Sequence, residues 1–592
     1  MDWTSIEETR ERTSDSALWE CGRPSTWFHF APASVLEHRG LQRIAAWLED
    51  SDHRRGLHAS QLRGEYPRNA IDALRELGLS QLLGRDEATV WHASALNALL
   101  ASVDGSLAIT VGVNFLALLP IHLDASPALQ DAIFRRVEEG AFASLLLTEW
   151  NHGSNLVRNE TRAELKADRY VVRGAKQLIN GGREHEILMV LARSDDHDAG
   201  GALSAHTLFA LERSEGVRSL SRWRTLPVRG ADISNVEIDV AVPNDRVVGA
   251  PGEGFSVIRR TLTLSRGGVA ALAAGAAAGA VDMARRYAET RNVYGRPILE
   301  LDAIAQAVAA AMEAEAVSAA ASLRAVAWAN AFGLAAATQT AAAKVVSAVY
   351  AEKAIEEGRR VLASRALLED LPYAAFARDV LLYGVFDGTI HVMLEELAFR
   401  FERCATAGPD GKDPVAQERE AWKCEPRRLS DCRANVSVAR LDLRRLAAEI
   451  DACATWPMAE CLPALVDALF FVHADFSRDE RTLPQSLRFE FGELYALLET
   501  ASGMFVMGDP GVRVRIGLPA PFRVDADGVI RTIAFESGAA SLCCSIAERL
   551  ARLRRSRGGN VEEGFAAVGR ATALASQLRA KLVAELSSSS RV

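Results

Sequence analysis

The spacing of apolar residues changes twice along this chain, and that change constrains the fold more than any other feature of the sequence. From 32 to about 139 the apolar residues recur three or four positions apart, which predicts helices. From 141 to 249 they alternate with polar residues, which predicts strands, most clearly at Val236, Ile238, Val240 and Val242. From 254 to about 401 long Ala-rich helical patterns return. The predicted order is therefore helices, then a sheet, then helices.

The 592 residues exceed what one core can hold, so several domains are expected. A segment rich in Gly, Pro and Asp, 405–414, has the composition of a linker. The stretch after it is predicted to be mostly helical, with a hairpin around Val512 to Phe535 in which Asp527-Gly528 makes the turn. The fold class is α+β and mainly α. Its predicted parts are an N-terminal helical domain, a middle antiparallel β domain, a C-terminal helical domain and an appended helical domain of unknown role, over 1–140, 141–252, 253–404 and 415–592.

Composition excludes several classes of function. The net charge of −9, with no basic stretch interleaved with aromatic residues, argues against nucleic-acid binding. No secretory signal is visible at the N-terminus, and the uncharged Gly267–Val281 run is too short to cross a bilayer. Eight cysteines without a Cys-x-x-Cys motif make a metal site or a disulfide framework unexpected. A cytoplasmic protein without a membrane span is expected.

One carboxylate stands out as a candidate for proton chemistry. Asp387 lies beside Gly388 at the tip of an apolar segment, where a proton-abstracting base can sit. An alternative is that Asp387 caps a helix beginning near Gly388.

Four separated patterns, in order, connect the chain to a known family. The segment 147–155 is similar to a Thr-Glu-Pro-x-x-Gly-Ser-Asp loop, and 242–255 is similar to the strand-to-helix passage that follows it. The segment 287–298 matches Tyr-x-x-x-Arg-x-x-Phe-Gly-x-x-Ile, and Arg378-Asp379 precedes 387–389 by the interval of the last signature. On these motifs, which span about two thirds of the chain, the sequence resembles the acyl-CoA dehydrogenases.

The resemblance implies a four-helix bundle in the C-terminal helical domain, bound FAD and α,β-dehydrogenation of an acyl thioester on CoA or an acyl carrier protein. Asp387 replaces the glutamate that removes the α-proton, while the β-hydrogen leaves as hydride to the flavin. The enolate oxygen is then held by a ribityl hydroxyl and by the backbone N–H of the catalytic residue. An electron-transfer flavoprotein or oxygen is the implied acceptor, and a homodimer or homotetramer the implied assembly.

The resemblance also assigns residues. Arg266 orients the acid loop, or else forms an ordinary interhelical ion pair. The preceding position, which carries the base in some family members, is here Ser265. Arg291 and Tyr294 match positions that reach the FAD of a neighbouring subunit. The remaining predicted cofactor-binding residues are Thr148, Gly153, Ser154, Asn180, Ser364 and Thr389; no metal ligand is predicted.

Several positions depart from the family pattern: Trp150 replaces a proline, Leu178 replaces a tryptophan, and Ala363-Ser364 replaces a Gly-Gly pair. A specialised substrate is therefore expected. Two alternatives stay open: a flavin-dependent oxidase or monooxygenase on the same fold, and a catalytically silent scaffold or carrier-binding protein.

Overall fold

The computed structural model describes residues 18–19, 25–194, 205–213, 216–407, 411–433, 441–478, 483–518, 526–557 and 566–589. The prediction of a mainly helical α+β fold is confirmed by these ranges. Nine helices open the described chain, numbered α1 to α9: Ser25–Phe30, Ala33–Leu36, Arg39–Glu49, Ser51–Arg63, Arg68–Glu76, Leu79–Leu83, Val90–Ala101, Gly105–Asp124 and Pro127–Glu138. Of these, α7 and α8 are almost entirely buried, and both pack against the first long helix of the later bundle.

The middle of the chain folds into one eight-stranded sheet. Its strand order is β6-β7-β3-β2-β4-β5-β8, with β1 paired to β4. Most pairs are antiparallel as predicted, but β4 runs parallel to both β1 and β2, so the sheet is mixed. The strands β1 to β8 are Ala143–Leu146, Arg162–Lys166, Arg169–Asn180, Ile187–Ser194, His206–Glu212, Val217–Arg222, Ile233–Pro243 and Val247–Val248.

A helical bundle follows the sheet. Its long helices α10, α11 and α12 pack against one another, and α14 packs against α12. Close approach depends on small residues. A Cβ added at Gly275 of α10 would lie 2.1 Å from the carbonyl oxygen of Ala98 in α7, and one added at Gly279 would lie 2.2 Å from that of Ser102, the residue after α7. A hairpin, β9 and β10, joins α10 to α11. The bounds of α10, β9, β10 and α11 to α14 are Gly254–Thr290, Asn292–Val293, Arg296–Pro297, Asp302–Phe332, Ala337–Leu362, Tyr373–Asp379 and Ile390–Ala407.

The appended segment is helical, and its apolar residues belong to the same core as the bundle. Its helices α18, α20 and α21 pack directly on α11, and α18 also packs on α12 and α14. In chain order α15 to α21 are Pro414–Lys423, Leu443–Cys453, Leu462–Ser477, Gln485–Gly508, Pro510–Ile516, Ala526–Ser556 and Ala566–Ser589.

The predicted hairpin in this segment is wrong. Val512 lies in α19, and Asp527 and Phe535 lie in α20, while residues 519–525 fall outside the described ranges. Asp527 stands in the first helical turn, where an acidic side chain is favourable, and it pairs with Arg531 one turn later. The Asp-Gly pair therefore begins a helix instead of turning a hairpin.

Within the described ranges, five helical stretches are long and apolar enough to cross a membrane, by length and composition. In the three within α8, α10 and the 302–367 region, 89%, 89% and 83% of the most apolar window is buried inside the protein. Burial in the bundle thus accounts for their apolar character. The absence of a membrane span stays a prediction.

Candidate active site

Asp387 lies on a tight turn between the 3₁₀ segment Val380–Leu382 and α14. Its backbone adopts a φ of 55°, which is uncommon for a residue with a side chain. The Ser265 hydroxyl donates a 2.7 Å hydrogen bond to Oδ2, whereas Oδ1 is shielded from solvent and has no hydrogen-bond partner among the described residues. Burial raises the pKa of Asp387, and this exceeds the opposing effects of Lys344, Ser265 and Arg266. A shielded carboxylate with a raised pKa and an unpaired oxygen is suited to accept a proton.

Helix capping is performed by a different residue. The Thr389 hydroxyl accepts from the N–H of Val392 at 3.4 Å, and α14 begins at Ile390. The Asp387 carboxylate instead faces Ser265 on α10. The capping alternative for Asp387 is therefore wrong, and Thr389, predicted to bind the cofactor, serves as the cap.

Lys344 is a buried lysine directly beside this turn. Its side chain extends from α12, and it is 1% exposed. The ammonium donates hydrogen bonds to the carbonyl oxygens of Tyr383, at 2.9 Å, and Phe386, at 2.5 Å. It also lies 5.1 Å from the centre of the Phe386 ring. Burial lowers the pKa of Lys344 to about 8, against the opposing influence of Asp387.

Arg266 forms an interhelical ion pair. Its guanidinium donates to Glu396 of α14 at 2.8 Å, and Glu396 also pairs with Arg400. Arg266 is 8% exposed and makes no hydrogen bond to Asp387 among the described residues. It nevertheless acts on the pKa of Asp387 through its charge. The structure thus shows the ion pair directly, while an orienting role for Arg266 stays a prediction.

A narrow, mainly apolar cavity of about 20 Å³ adjoins the Asp387 turn. That volume is about the room that one water molecule needs. Its walls include Ser265 and Phe386, which flank the carboxylate, and Leu429 from the appended segment. The buried Ser94 hydroxyl also lines it and has no hydrogen-bond partner among the described residues. This cavity, an apolar slot beside the carboxylate, has room for a water-sized group only.

A buried ion pair shapes the loop that bears Thr148. Lys176, fully buried, donates to Glu149 at 2.8 Å and to the Leu147 carbonyl at 3.2 Å. The Glu149 carboxylate also accepts from the backbone N–H groups of residues 160 and 161. These contacts fix the backbone on both sides of Thr148, which is itself half-buried.

An exposed apolar surface lies beside that loop. Leu178 has a φ of 56° at a bulge in β3, and its side chain is 57% exposed. Trp150, 71% exposed, stacks near Trp223, with ring centres 6.4 Å apart. The Asn235 side-chain oxygen joins this group by accepting from the Trp223 indole N–H at 2.9 Å. Flat apolar side chains beside a hydroxyl-bearing loop fit the ring system of a flavin.

The neighbouring predicted cofactor residues differ in their exposure to solvent. Gly153 and Ser154 are exposed, and the space beside Gly153 is open, since an added Cβ there would meet only a Thr148 methyl group, at 4.0 Å. This loop leaves room for a phosphate group. Asn180 is different, because its amide donates to the Ile109 carbonyl of α8 at 3.0 Å and the residue is buried. Its Oδ1 has no partner among the described residues.

The remaining predicted cofactor residues lie on projecting segments. Tyr294 sits at the tip of the β9–β10 hairpin and is 92% exposed, and Arg291 precedes that hairpin. Ser364 is exposed in the 3₁₀ segment after α12, where the preceding Ala363 has a φ of 50°. A glycine would adopt that backbone without strain, as the family pattern has there. Among the described residues no hydrogen bond or ion pair joins these residues to Asp387.

Sequence reasoning missed Lys344, Glu396 and the exposed Trp223. Only Lys344 left a usable signal, because it is the one charged residue in the Ala-rich stretch 335–351. A charge placed there must find a buried partner. Among the described residues no group of three or more His, Cys, Asp or Glu side chains is arranged to hold a metal ion.

Comparison with known proteins places two segments of this chain. Residues 144–241 match the family model described as acyl-CoA dehydrogenase, middle domain, and residues 252–401 match that of acyl-CoA dehydrogenase, C-terminal domain. A probable acyl-CoA dehydrogenase of Mycobacterium leprae is 27% identical over 345 residues, which cover 56% of this chain and 87% of the relative. Cyclohex-1-ene-1-carbonyl-CoA dehydrogenase of Geobacter metallireducens is 31% identical, covering 40% of this chain and 64% of that protein.

The solved structures include one that matches nearly the whole chain. It is an acyl-CoA dehydrogenase of Bacillus anthracis complexed with FAD, with a TM-score of 0.70, 15% identity and 97% of each chain covered. At that identity the match concerns the fold alone. It extends over the appended helices as well as the three preceding parts.

Proposed function

Because this chain belongs to the acyl-CoA dehydrogenase family, we propose that it is an FAD-dependent enzyme that introduces an α,β double bond into an acyl thioester, with Asp387 as the base. The observation that carries this proposal is the Asp387 carboxylate, which lies beside an apolar slot, keeps one unpaired oxygen and has a raised pKa. A weakly acidic α-proton needs such a base.

Three groups of the chain act at the reacting carbons: the Asp387 carboxylate with Ser265, the backbone N–H of Asp387, and the walls of the slot. The Asp387 carboxylate takes the α-proton, and the Ser265 hydroxyl holds the carboxylate through Oδ2 so that Oδ1 stays available. The backbone N–H of Asp387 donates to no acceptor among the described residues, so it can donate to the thioester oxygen as negative charge develops there. The apolar walls of the slot exclude water from the reacting carbons.

The residues around β3 fit FAD. The exposed Leu178, Trp150 and Trp223 side chains would contact the ring, with Thr148 at its edge and the Gly153-Ser154 loop at the phosphates. FAD, when bound, accepts the β-hydrogen as hydride. Tyr294, 92% exposed at the tip of the β9–β10 hairpin, is accessible to a cofactor held by a second copy, and the half-buried Arg291 lies next to the same hairpin, which supports a homo-oligomer.

The substrate proposal is an acyl chain joined to CoA or to a carrier protein. The slot must widen to admit an acyl group, and the Ser94 hydroxyl offers one polar contact inside it. A cytoplasmic location belongs to the same proposal.

The test begins with the absorbance spectrum of the purified protein, before and after FAD is added. Flavin bands are expected, and anaerobic addition of an acyl-CoA should bleach them. Protein that takes up no FAD would contradict the enzyme proposal and leave a scaffold role. Flavin that stays oxidised with acyl-CoA and with acyl carrier protein thioesters of several chain lengths would contradict the dehydrogenase proposal.

Admission of air to the bleached protein distinguishes the acceptors. Slow reoxidation that an electron-transfer flavoprotein accelerates supports the dehydrogenase. Rapid reoxidation with release of peroxide, or a hydroxylated product, would support the oxidase or monooxygenase instead.

A further inference from the structure

The two hydrogen bonds of Lys344 meet the Asp387 turn at its peptide carbonyls. One acceptor is the Phe386 carbonyl, at 2.5 Å, and the other is the Tyr383 carbonyl, at 2.9 Å. The Phe386 carbonyl belongs to the same peptide group as the N–H of Asp387. Lys344 therefore contacts the oxygen end of the amide whose N–H end is available to a substrate oxygen.

A hydrogen bond accepted by the carbonyl oxygen of an amide makes the N–H of the same amide a stronger donor. When a charged donor binds the carbonyl oxygen, electron density moves toward that oxygen and the N–H becomes a stronger donor. This effect is largest where water is excluded, and Lys344 is 1% exposed. The arrangement orders Lys344, the Phe386–Asp387 peptide and the thioester oxygen in one chain of hydrogen bonds.

The turn also needs an external constraint. Asp387 has a φ of 55°, and such a backbone persists when its surroundings hold it in place. The ammonium of Lys344 ties together carbonyls three residues apart on the approach to Asp387. No carboxylate accepts a hydrogen bond from this ammonium among the described residues, so its charge is not cancelled by a direct ion pair.

We propose that Lys344 is a positioning residue that fixes the Asp387 turn and polarises the Phe386–Asp387 peptide toward the thioester oxygen. This inference rests on the proposed function, because it needs a thioester bound beside Asp387. It assigns Lys344 a role in stabilising the enolate, distinct from the proton transfer that Asp387 performs.

The test compares K344M, K344R and K353M. Lys353 lies on the same helix but is exposed, so K353M controls for the loss of a lysine from α12. For K344M we expect unchanged FAD content. The rate of anaerobic bleaching by butyryl-CoA should fall on the order of tenfold to a hundredfold, which is no more than the effect of removing a whole hydrogen-bond donor to the enolate oxygen. K344R keeps a charge and donors and should recover most of the rate, while K353M should equal the wild type.

A vibrational measurement separates polarisation from a merely structural role. The carbonyl stretch of crotonyl-CoA, the unsaturated product, should shift to lower frequency on binding to the wild type and K353M, and shift less when bound to K344M at saturation. Bleaching and a carbonyl shift in K344M equal to those of the wild type would overturn the inference alone. Wild-type protein that binds no FAD, or that stays oxidised with butyryl-CoA, would instead count against the proposed function for this substrate and the inference with it.

Discussion

Two buried charged sites in the bundle differ in whether the opposite charges contact each other directly. At the first, the Arg324 guanidinium of α11, 3% exposed, donates to Glu418 at 2.6 Å and to Glu499 at 2.7 Å. Glu418 also accepts from the indole N–H groups of Trp328 and Trp422. At the second site, the Asp387 carboxylate accepts a hydrogen bond from one hydroxyl. Its cationic neighbour Lys344 donates its hydrogen bonds to backbone carbonyls and not to the carboxylate.

The difference separates structural from chemical use of a buried charge. Glu418 and Glu499 come from the appended segment, so the Arg324 site joins that segment to the bundle across 94 and 175 residues of sequence. Burial alone would lower the pKa of Arg324, but the two carboxylates raise it. Asp387 accepts no hydrogen bond from a cation among the described residues, and its raised pKa marks a cost in stability at a site that needs a reactive group.

Replacement of the base should have the largest effect on activity. In D387N we expect flavin bleaching by a thioester to slow on the order of a thousandfold or more, since a general base contributes about 10²–10⁴-fold. Stopped-flow absorbance of FAD-loaded protein measures this. D387E, which restores the residue of the family signature, should retain activity, and bleaching of D387N at the wild-type rate would remove Asp387 from the base role.

D387N should not lose stability. The folded protein raises the pKa of Asp387 above its unfolded value, so ionisation of this group costs stability as pH rises above about 3.9. Asparagine removes that cost at neutral pH. We expect the Tm of D387N to equal or exceed the wild-type value, and a clearly lower Tm would show that Asp387 also has a structural role.

Disruption of the Arg324 site should give the opposite result. R324M leaves two buried carboxylates without their cation, which destabilises by about 3–5 kcal/mol. Urea denaturation should show a lower midpoint, and limited proteolysis should cut within the appended segment first. Arg555 is exposed on α20, so R555M is the matched control and should change stability by less than about 0.5 kcal/mol. Equal midpoints for the two variants would contradict a structural role for Arg324.

The pH dependence of bleaching should reveal both groups at the active site. Only ionised Asp387 accepts a proton, so the rate should rise with pH through its raised pKa. Lys344 has a pKa of about 8, and its loss of charge should lower the rate above that pH. Single-turnover rates from about pH 5 to about pH 9.5 test this, and an alkaline limb that persists unchanged in K344R would exclude Lys344 as its source.

The sequence predicted single residues better than the contacts between them. Asp387 was identified from a motif, and Ser265 was noted only as the residue at the position that carries the base in some family members. The hydrogen bond between them joins residues 122 apart and follows from how α10 meets the turn. Lys344 was missed because its partners are backbone carbonyls, which carry no side-chain signature. The appended hairpin was wrong because Asp-Gly is compatible with a turn and with a helix start, and tertiary packing decides between them.

Removal of the Ser265 hydroxyl should produce the smallest of these effects. Its hydrogen bond favours the ionised form of Asp387, and a hydrogen bond to a charged group contributes about 1.5–3 kcal/mol, so S265A should raise the pKa of Asp387 further. The acid limb of the bleaching rate should move to higher pH, with a high-pH rate close to that of the wild type. Ser502, whose hydroxyl donates to the Leu498 carbonyl within α18, supplies the control S502A. If S265A lowers the rate equally at every pH, the hydroxyl positions the carboxylate without tuning its charge, and the contrast with the Arg324 site, where cation and carboxylates contact each other directly, then depends on Lys344 alone.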